Sequence, residues 1–214
     1  MSRIAVFTAN PWQENAYLLS DDTGACVVVD PGCQTPAEQA EITAHIEQEG
    51  LRPEAVLNTH CHLDHVFGNR FLCEHYGIPL ITHKGEVPVL DAAATYAKAV
   101  GMPYDPSPAP DRFLDHGDRF RFGKTELTVR LAPGHSPASI CFYQAEDAYL
   151  IGGDVLFQDS IGRYDLPGGD LDTLLRSIHE QVMSLPDDTV VYPGHGPSTR
   201  VGREREHNPF LNLD

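Results

Sequence analysis

The chain has 214 residues and a formal net charge of −16, from 15 Lys+Arg against 31 Asp+Glu. A surface of that sign repels phosphate backbones, and no Lys/Arg-rich run interrupts it, so nonspecific nucleic-acid binding is excluded as a function. With 41% hydrophobic and 21% charged residues the balance is that of a globular protein with a sizeable core, and no stretch nears the roughly 20 apolar residues of a membrane span.

Met1–Asn15 lacks a charged head followed by an apolar run, so no secretory leader and no membrane partner are expected, and the chain reads as cytoplasmic. Cys26, Cys33, Cys61, Cys73 and Cys141 are odd in number and contain no CxxC pair, which points to buried reduced thiols rather than a disulfide framework. One domain over residues 1–214 is expected.

Ala25–Asp30 is a β-branched run that stops at Pro31-Gly32, a strand and a turn. Thr35 to Glu49 predicts a helix, with Thr35 as N-cap, Pro36 in the first position and Gly50 as the stop. Ala55–Asn58 is a second strand, Asp64–His75 a helix ending at Gly77, and Pro79–Thr82 a third strand. Glu86–Val100 predicts a helix that tolerates Pro88 in its first turn. Gly101–Pro110 is a Pro-rich loop at the border of the site. Strands follow at Arg119–Phe122, Thr125–Leu131, Ser139–Tyr143 and Tyr149–Ile151. Asp170–Leu185 is a helix with Leu171, Leu174, Leu175, Ile178 and Val182 at helical spacing, and Val190–Tyr192 is the last strand. The Arg203-Glu204-Arg205-Glu206 alternation reads as a charged helix face carrying both signs. Sheets with helices on their outer faces accommodate this order.

Every strong chemical signal has one form: a strand ends, a tight turn follows, and a metal-binding side chain sits in the turn. His60-Cys61-His62-Leu63-Asp64-His65 is the densest case. Alternation puts His60 and His62 on one side of an extended segment. Asp64 and His65 fall where the chain turns into a helix, which suits a second metal ion. His135 in Pro133-Gly134-His135, Asp154 in Gly152-Gly153-Asp154 and His195 in Pro193-Gly194-His195-Gly196 repeat the pattern. Taken alone, His135 reads as a turn residue; the full set does not read as caps and turns.

Nitrogen and oxygen donors without thiolate suit Zn, Fe or Mn at an open site. The set is too large for one tetrahedral ion and divides between two ions, with one carboxylate shared. Such a pair makes hydroxide available near neutral pH and supports hydrolysis without a Ser or Cys nucleophile.

These residues resemble the metallo-β-lactamase superfamily over almost the whole chain, from Asp30-Pro31-Gly32 to His195. The resemblance implies an α+β fold, a four-layer αββα sandwich. It assigns His60, His62 and His135 to a first ion, Asp64, His65 and His195 to a second, and Asp154 to both. Asn15–Leu19, Gly152–Phe157, Ile161–Asp165 and His207–Phe210 look like the short bacterial glyoxalase II-like (hydroxyacylglutathione hydrolase-like) proteins. Full-length glyoxalase II carries a helical C-terminal extension that helps bind glutathione, and the residues after His195 are too few for it. The function implied is binuclear hydrolysis of a small-molecule thioester such as S-D-lactoylglutathione, by attack of a metal-bridging hydroxide, with Asp64 and Asp154 as catalytic carboxylates and two divalent ions, zinc before iron or manganese. The alternatives on this fold are a mononuclear-iron persulfide dioxygenase, using His60, His135 and Asp154, and a lactonase. A β-lactamase is disfavoured because Asp154 stands where many carry Cys, and a nuclease by the charge.

Asp30 either packs behind the site and hydrogen-bonds the ligand loops or only makes the turn before Pro31. Alternation points Cys61 away from the metals. Arg163 and Asp165 order the loop after Asp154 by pairing, and Tyr143 reads as a core aromatic. His45, His75, His83, His116, His179 and His207 lack ligand spacing and read as surface or structural.

Overall fold

The computed structural model describes residues 2–211, so the ends of the expected 1–214 domain lie outside the described residues. The fold follows from strands that are apolar on both faces. In β3 (Ala25–Val29) every residue is buried. Ala25, Val27 and Val29 enter a core between two sheets, whereas Cys26 and Val28 enter a second core beneath helices. A strand covered on both sides needs no polar alternate.

The first sheet has the order β1 (Arg3–Ala9), β2 (Glu14–Ser20), β3, β4 (Arg52–Leu57), β5 (Leu80–Thr82), β6 (Arg112–Phe113). Its first two pairings are antiparallel and the rest parallel. The crossovers are α1 (Pro36–Gln48), the pair α2 (Leu63–Val66) and α3 (Asn69–Tyr76), and α4 (Val87–Ala99). Ile42, Ile46, Leu72, Leu90 and Ala97 pack these helices onto the sheet.

The second sheet has the order β14 (Thr199–Arg200), β13 (Val190–Pro193), β10 (Tyr149–Gly153), β9 (Ile140–Gln144), β8 (Thr125–Leu131), β7 (Arg119–Phe122). A two-stranded hairpin, β11 (Leu156–Phe157) and β12 (Ser160–Ile161), lies apart. Leu174, Ile178, Val182 and Val201, from α5 (Leu171–Ser177), the turn that continues it and α6 (Val201–His207), cover the outer face with Cys141, Leu150 and Val191. Three cores between four layers make the αββα sandwich expected.

Strands β8, β10 and β13 run in one direction, because β9 is antiparallel to β8 and β10 while β10 and β13 are parallel. Their carboxyl ends meet those of β3 and β4 at one edge. Ile140 N donates to Thr59 O at 2.8 Å, and Tyr17 Oη donates to Pro193 O at 2.5 Å, so the two sheets are tied there. Open α/β sheets bind ligands at such an edge.

Three expectations need correction and one a refinement. The Asp64–His75 helix is broken: α2 ends at Val66 and α3 restarts at Asn69. Gly68 N donates to Pro31 O at 2.7 Å, and a Cβ on Gly68 would lie 2.8 Å from that oxygen, so the chain leaves the helical path to dock on the β3 turn. The Asp170–Leu185 helix is α through Ser177 and a wider π turn over Ile178–Val182, which keeps the apolar residues facing the sheet. The expected Glu86–Val100 helix is present as α4 with Glu86 as its N-cap and Val100 as its C-cap, but Glu86 also ends a 3₁₀ turn over Lys84–Glu86 and, unlike a surface charge, is fully buried. Glu204 leaves the charged face of α6 and is fully buried, accepting from Asp159 N at 2.9 Å and Thr199 Oγ1 at 2.5 Å.

All five cysteines are buried and free, and burial pushes the Cys33 and Cys141 thiols up to about 12. No helix among the described residues is long and apolar enough to cross a membrane.

Candidate active site

His60 and His62 leave the end of β4, His135 the end of β8, Asp154 the end of β10 and His195 the end of β13, while Asp64 and His65 open α2. The structure brings all seven together. His60 Nε2 and His62 Nδ1 lie 3.2 and 2.9 Å from His135 Nε2. Asp64 Oδ2 lies 3.1 Å from His195 Nε2 and 3.7 Å from His65 Nε2. Asp154 sits between the groups, with Oδ2 3.6 Å from both His135 Nε2 and His195 Nε2 and Oδ1 3.5 Å from His65 Nε2.

Three observations fit this arrangement to metal ions. Tetrahedral donors at zinc-nitrogen bond lengths stand roughly 3.3 Å apart, close to the spacing of the His60, His62 and His135 nitrogens. A single imidazole N–H can close the His62–His135 or the His60–His135 contact, but His135 Nε2 cannot serve both at full strength, and three ring nitrogens converging on one point are a donor set for a cation. The buried atoms His65 Nε2 and Asp154 Oδ1 face the cluster with no hydrogen-bond partner among the described residues. Buried polar atoms are seldom left so, and an ion satisfies both. Two donor triads, His60-His62-His135 and Asp64-His65-His195, each lie within 4.8 Å.

Electrostatics separate the two groups. Burial, then the neighbouring histidines, pushes His60 well down and His62 down to about 3, so these rings stay neutral and offer lone pairs. Burial also disfavours charge on His65 and His195, but the Asp64 and Asp154 carboxylates outweigh it and raise both. Burial would raise Asp64 and Asp154; the surrounding histidines, His65 foremost, lower them instead.

The remaining nitrogens are held from behind. Asp30 is buried and left-handed (φ 48°). It accepts from Thr59 N at 2.7 Å and Thr59 Oγ1 at 2.5 Å and lies 3.2 Å from His65 Nδ1. Both readings of Asp30 therefore apply, since it makes the turn and braces the site. Asp30, His60 and His65 also form a compact group, but Asp30 faces the rear nitrogen of His65 and is committed to Thr59. His135 Nδ1 bonds Arg163 O at 2.8 Å, and His195 Nδ1 bonds Trp12 O at 3.0 Å. Such partners fix ring orientation and tautomer.

Arg163 and Asp165 pair through two bonds of 2.9 and 3.0 Å, as expected. Cys61 Sγ points to Thr82, away from the cluster. Tyr143 packs against the outer core under Arg130. The six other histidines belong to no donor group among the described residues. The Gly101–Pro110 loop lies against α3 rather than the cluster: Arg70 Nε donates to Pro106 O at 2.6 Å, and Ser107 Oγ bonds Asn69.

Glu14, Asn10, Trp12 and Glu86 were not singled out from sequence. Asn10 Nδ2 donates to Asp64 O and Gly32 O, both at 3.0 Å. Glu14 is fully buried, 3.7 Å from His65 Nδ1, and burial raises it well above the usual carboxylate range. Asn15 N donates to Gly194 O at 2.7 Å and clamps the His195 turn. All lie in or beside the β1–β2 hairpin except Glu86.

The superfamily model for metallo-β-lactamases matches residues 9–195, which spans every one of these donors. The chain belongs to the metallo-β-lactamase superfamily. It is 40% identical to "Probable metallo-hydrolase YqgX" of Bacillus subtilis, over 94% of each chain, and 33% identical to "Hydroxyacylglutathione hydrolase GloC" of Haemophilus influenzae, over 98% of each. Among solved structures, BLEG-1, a B3 metallo-β-lactamase, superposes with a TM-score of 0.90 at 38% identity, covering 99% of this chain and 100% of that one. TTHA1623 in a di-iron-bound form gives 0.88 at 40% identity, over 97% and 100%.

Proposed function

We propose that this superfamily member is a metal-dependent hydrolase of thioesters, S-D-lactoylglutathione being the model substrate. The observation that carries the reading is the pair of donor triads with Asp154 within 3.6 Å of a histidine in each. His60, His62 and His135 would hold one divalent ion, Asp64, His65 and His195 the other, and Asp154 both, with Asp64 and Asp154 as the catalytic carboxylates. The ions would supply Lewis-acid polarisation and an ionised water near neutral pH. Zinc suits the donors, and the di-iron form of a relative at 40% identity keeps iron in play.

The residues do the rest. Asp64, held ionised by His65 and His195, accepts a hydrogen bond from the attacking water and orients it. Attack on the acyl carbon forms a C–O bond, the C–S bond breaks, and the proton lost by water passes to the leaving thiolate. Trp12 is 40% exposed and stacks on Phe67, and the Phe157 ring lies 6.3 Å from His195. They give the mouth beside His195 an apolar wall for the acyl or thiol carrier.

The GloC relative supports the thioester reading. The BLEG-1 likeness at 38% identity favours a second one, β-lactam hydrolysis, in which the same water attacks a strained amide. A mononuclear dioxygenase needs only His60, His135 and Asp154, and the equally compact second triad weighs against it.

The test is metal content per chain in protein purified without added metal, with turnover on S-D-lactoylglutathione and on a chromogenic cephalosporin. Two ions with thioester turnover is the expected result. Turnover of the cephalosporin alone moves the assignment to β-lactams. One iron with oxygen uptake on glutathione persulfide overturns the hydrolase reading.

A further inference from the structure

The first triad comes from two separate loops, residues 58–62 after β4 and 132–139 after β8. Glu86 stands between them with its side chain fully buried. Its Oε2 accepts from Cys61 N at 2.9 Å, between the two ligands His60 and His62. Its Oε1 accepts from Ala138 N at 2.8 Å. Ser136 Oγ, next to ligand His135, lies 2.8 and 2.7 Å from the two oxygens. Each oxygen accepts from a backbone N–H, which can only donate, so an amide in this place sets its own N–H against Cys61 N–H or Ala138 N–H whichever way it is turned.

The post itself is fixed. The 3₁₀ turn that carries Glu86 is capped by His83, whose Nδ1 accepts from Gly85 N at 3.0 Å. A Cβ on Gly85 would stand 2.6 Å from Ala138 Cβ, so the turn is pressed against the His135 loop. The second triad has no bond to Glu86: Asn10 holds the Asp64 backbone, Asp30 faces His65, and the Trp12 carbonyl holds His195.

We propose that Glu86 is a positioning residue that sets the separation of the two loops and thereby the affinity for the first ion, leaving the second untouched. The inference rests on the two-ion reading above. Removing a group that orients ligands from behind costs on the order of 10–100-fold in metal affinity.

The full-length chain, stripped by chelation, is titrated with Co²⁺, whose visible absorption reports ligand geometry, and with Zn²⁺ against a chromophoric chelator. Wild type should take up two equivalents. Glu86→Gln should weaken one of them roughly 10–100-fold and leave the other unchanged. Glu204→Gln is the matched control, because Glu204 is as buried and as fully bonded but braces α6. It should lower the melting temperature and change neither affinity. A Glu86→Gln protein with both affinities intact, or with both lowered alike, overturns the inference. Should Glu86→Gln not fold, Ser136→Ala decides: it leaves the Cys61 and Ala138 bonds in place and should give a smaller loss at the first ion, and no loss overturns the inference. A wild-type chain that binds no ion removes the two-ion reading and the inference with it, an outcome seen before any variant is made.

Discussion

Replacing Asp30 by Asn tests how the second triad is braced. Asn tolerates the left-handed backbone at this position, so the turn survives. One amide oxygen can still accept from Thr59 N, now at 2.7 Å. The amide nitrogen then faces His65 Nδ1, 3.2 Å from Asp30 Oδ2. With Nε2 of His65 turned to the cluster, the ring proton belongs on Nδ1, and the substitution leaves that buried donor without an acceptor. An unsatisfied buried donor costs about 1–3 kcal/mol, which in a chain of this size lowers the melting temperature by roughly 2–12 °C. The ring can escape by giving up the Nδ1 proton and keeping one on Nε2 toward Asp64 and Asp154, but that blocks the atom offered to the second ion. Affinity for one ion should therefore fall on the order of 10–100-fold, about 1.4–2.7 kcal/mol. Thermal unfolding of the chelated protein and zinc competition read the two effects separately. An Asp30→Asn protein that melts lower yet binds both ions as wild type does would refute the brace and leave Asp30 a turn residue.

Gly194→Ala places a Cβ 2.6 Å from His65 Cε1 and closer still to Asp154 Oδ1. Turnover should drop on the order of 100-fold with circular dichroism unchanged, and near-normal turnover would show that the turn yields freely. Arg163→Ala should change stability by less than roughly 1 kcal/mol in chemical denaturation, because its ion pair is exposed and its backbone carbonyl, not its side chain, holds His135. Trp12→Ala should keep two metal equivalents, since the carbonyl that orients His195 remains, while raising KM for the thioester. The metal-free protein should be most stable near pH 6.5. His60 and His62 have lowered folded values, so the unfolded chain takes up their protons and stability falls as pH drops below about 6.5. His65 and His195 have raised values, so the stability they add is full below about 6.5 and is lost as pH rises through the folded values. Denaturant midpoints that climb steadily from pH 5 to about 8.5 would contradict this balance.

The parallel strands were legible because both their faces are covered: Ala25–Val29 and Ala55–Leu57 are short apolar runs with turn residues behind them. The β1–β2 hairpin was not. Every residue of β2 is buried, Glu14 and Asn15 included, so it shows no alternation, and β1 mixes exposed Arg3 and Val6 with half-buried neighbours. Helix boundaries failed where tertiary contacts won over periodicity. Gly68 breaks the helix after Val66 to reach Pro31, a partner that only the folded sheet supplies.

The same division runs through the site. Each donor of the two triads sits in a local pattern of strand, tight turn and ligand, and the pattern survives in sequence because the spacing is set by the chain itself. The groups that brace those donors carry no such mark. Glu86 lies 25 residues from Cys61 and 52 from Ala138, Asn10 lies 54 from Asp64, and the Trp12 carbonyl that holds His195 is 183 residues away and would be a carbonyl whatever the side chain. A buried carboxylate such as Glu86 reads in sequence as one more charge at a helix start, like the half-buried Glu38 of the α1 capping box; what separates them is that the donors to Glu86 come from the two ligand loops, 25 to 52 residues away. The donors define which chemistry the chain can attempt. On the proposed two-ion reading, the braces would set the separation at which the two triads hold their ions.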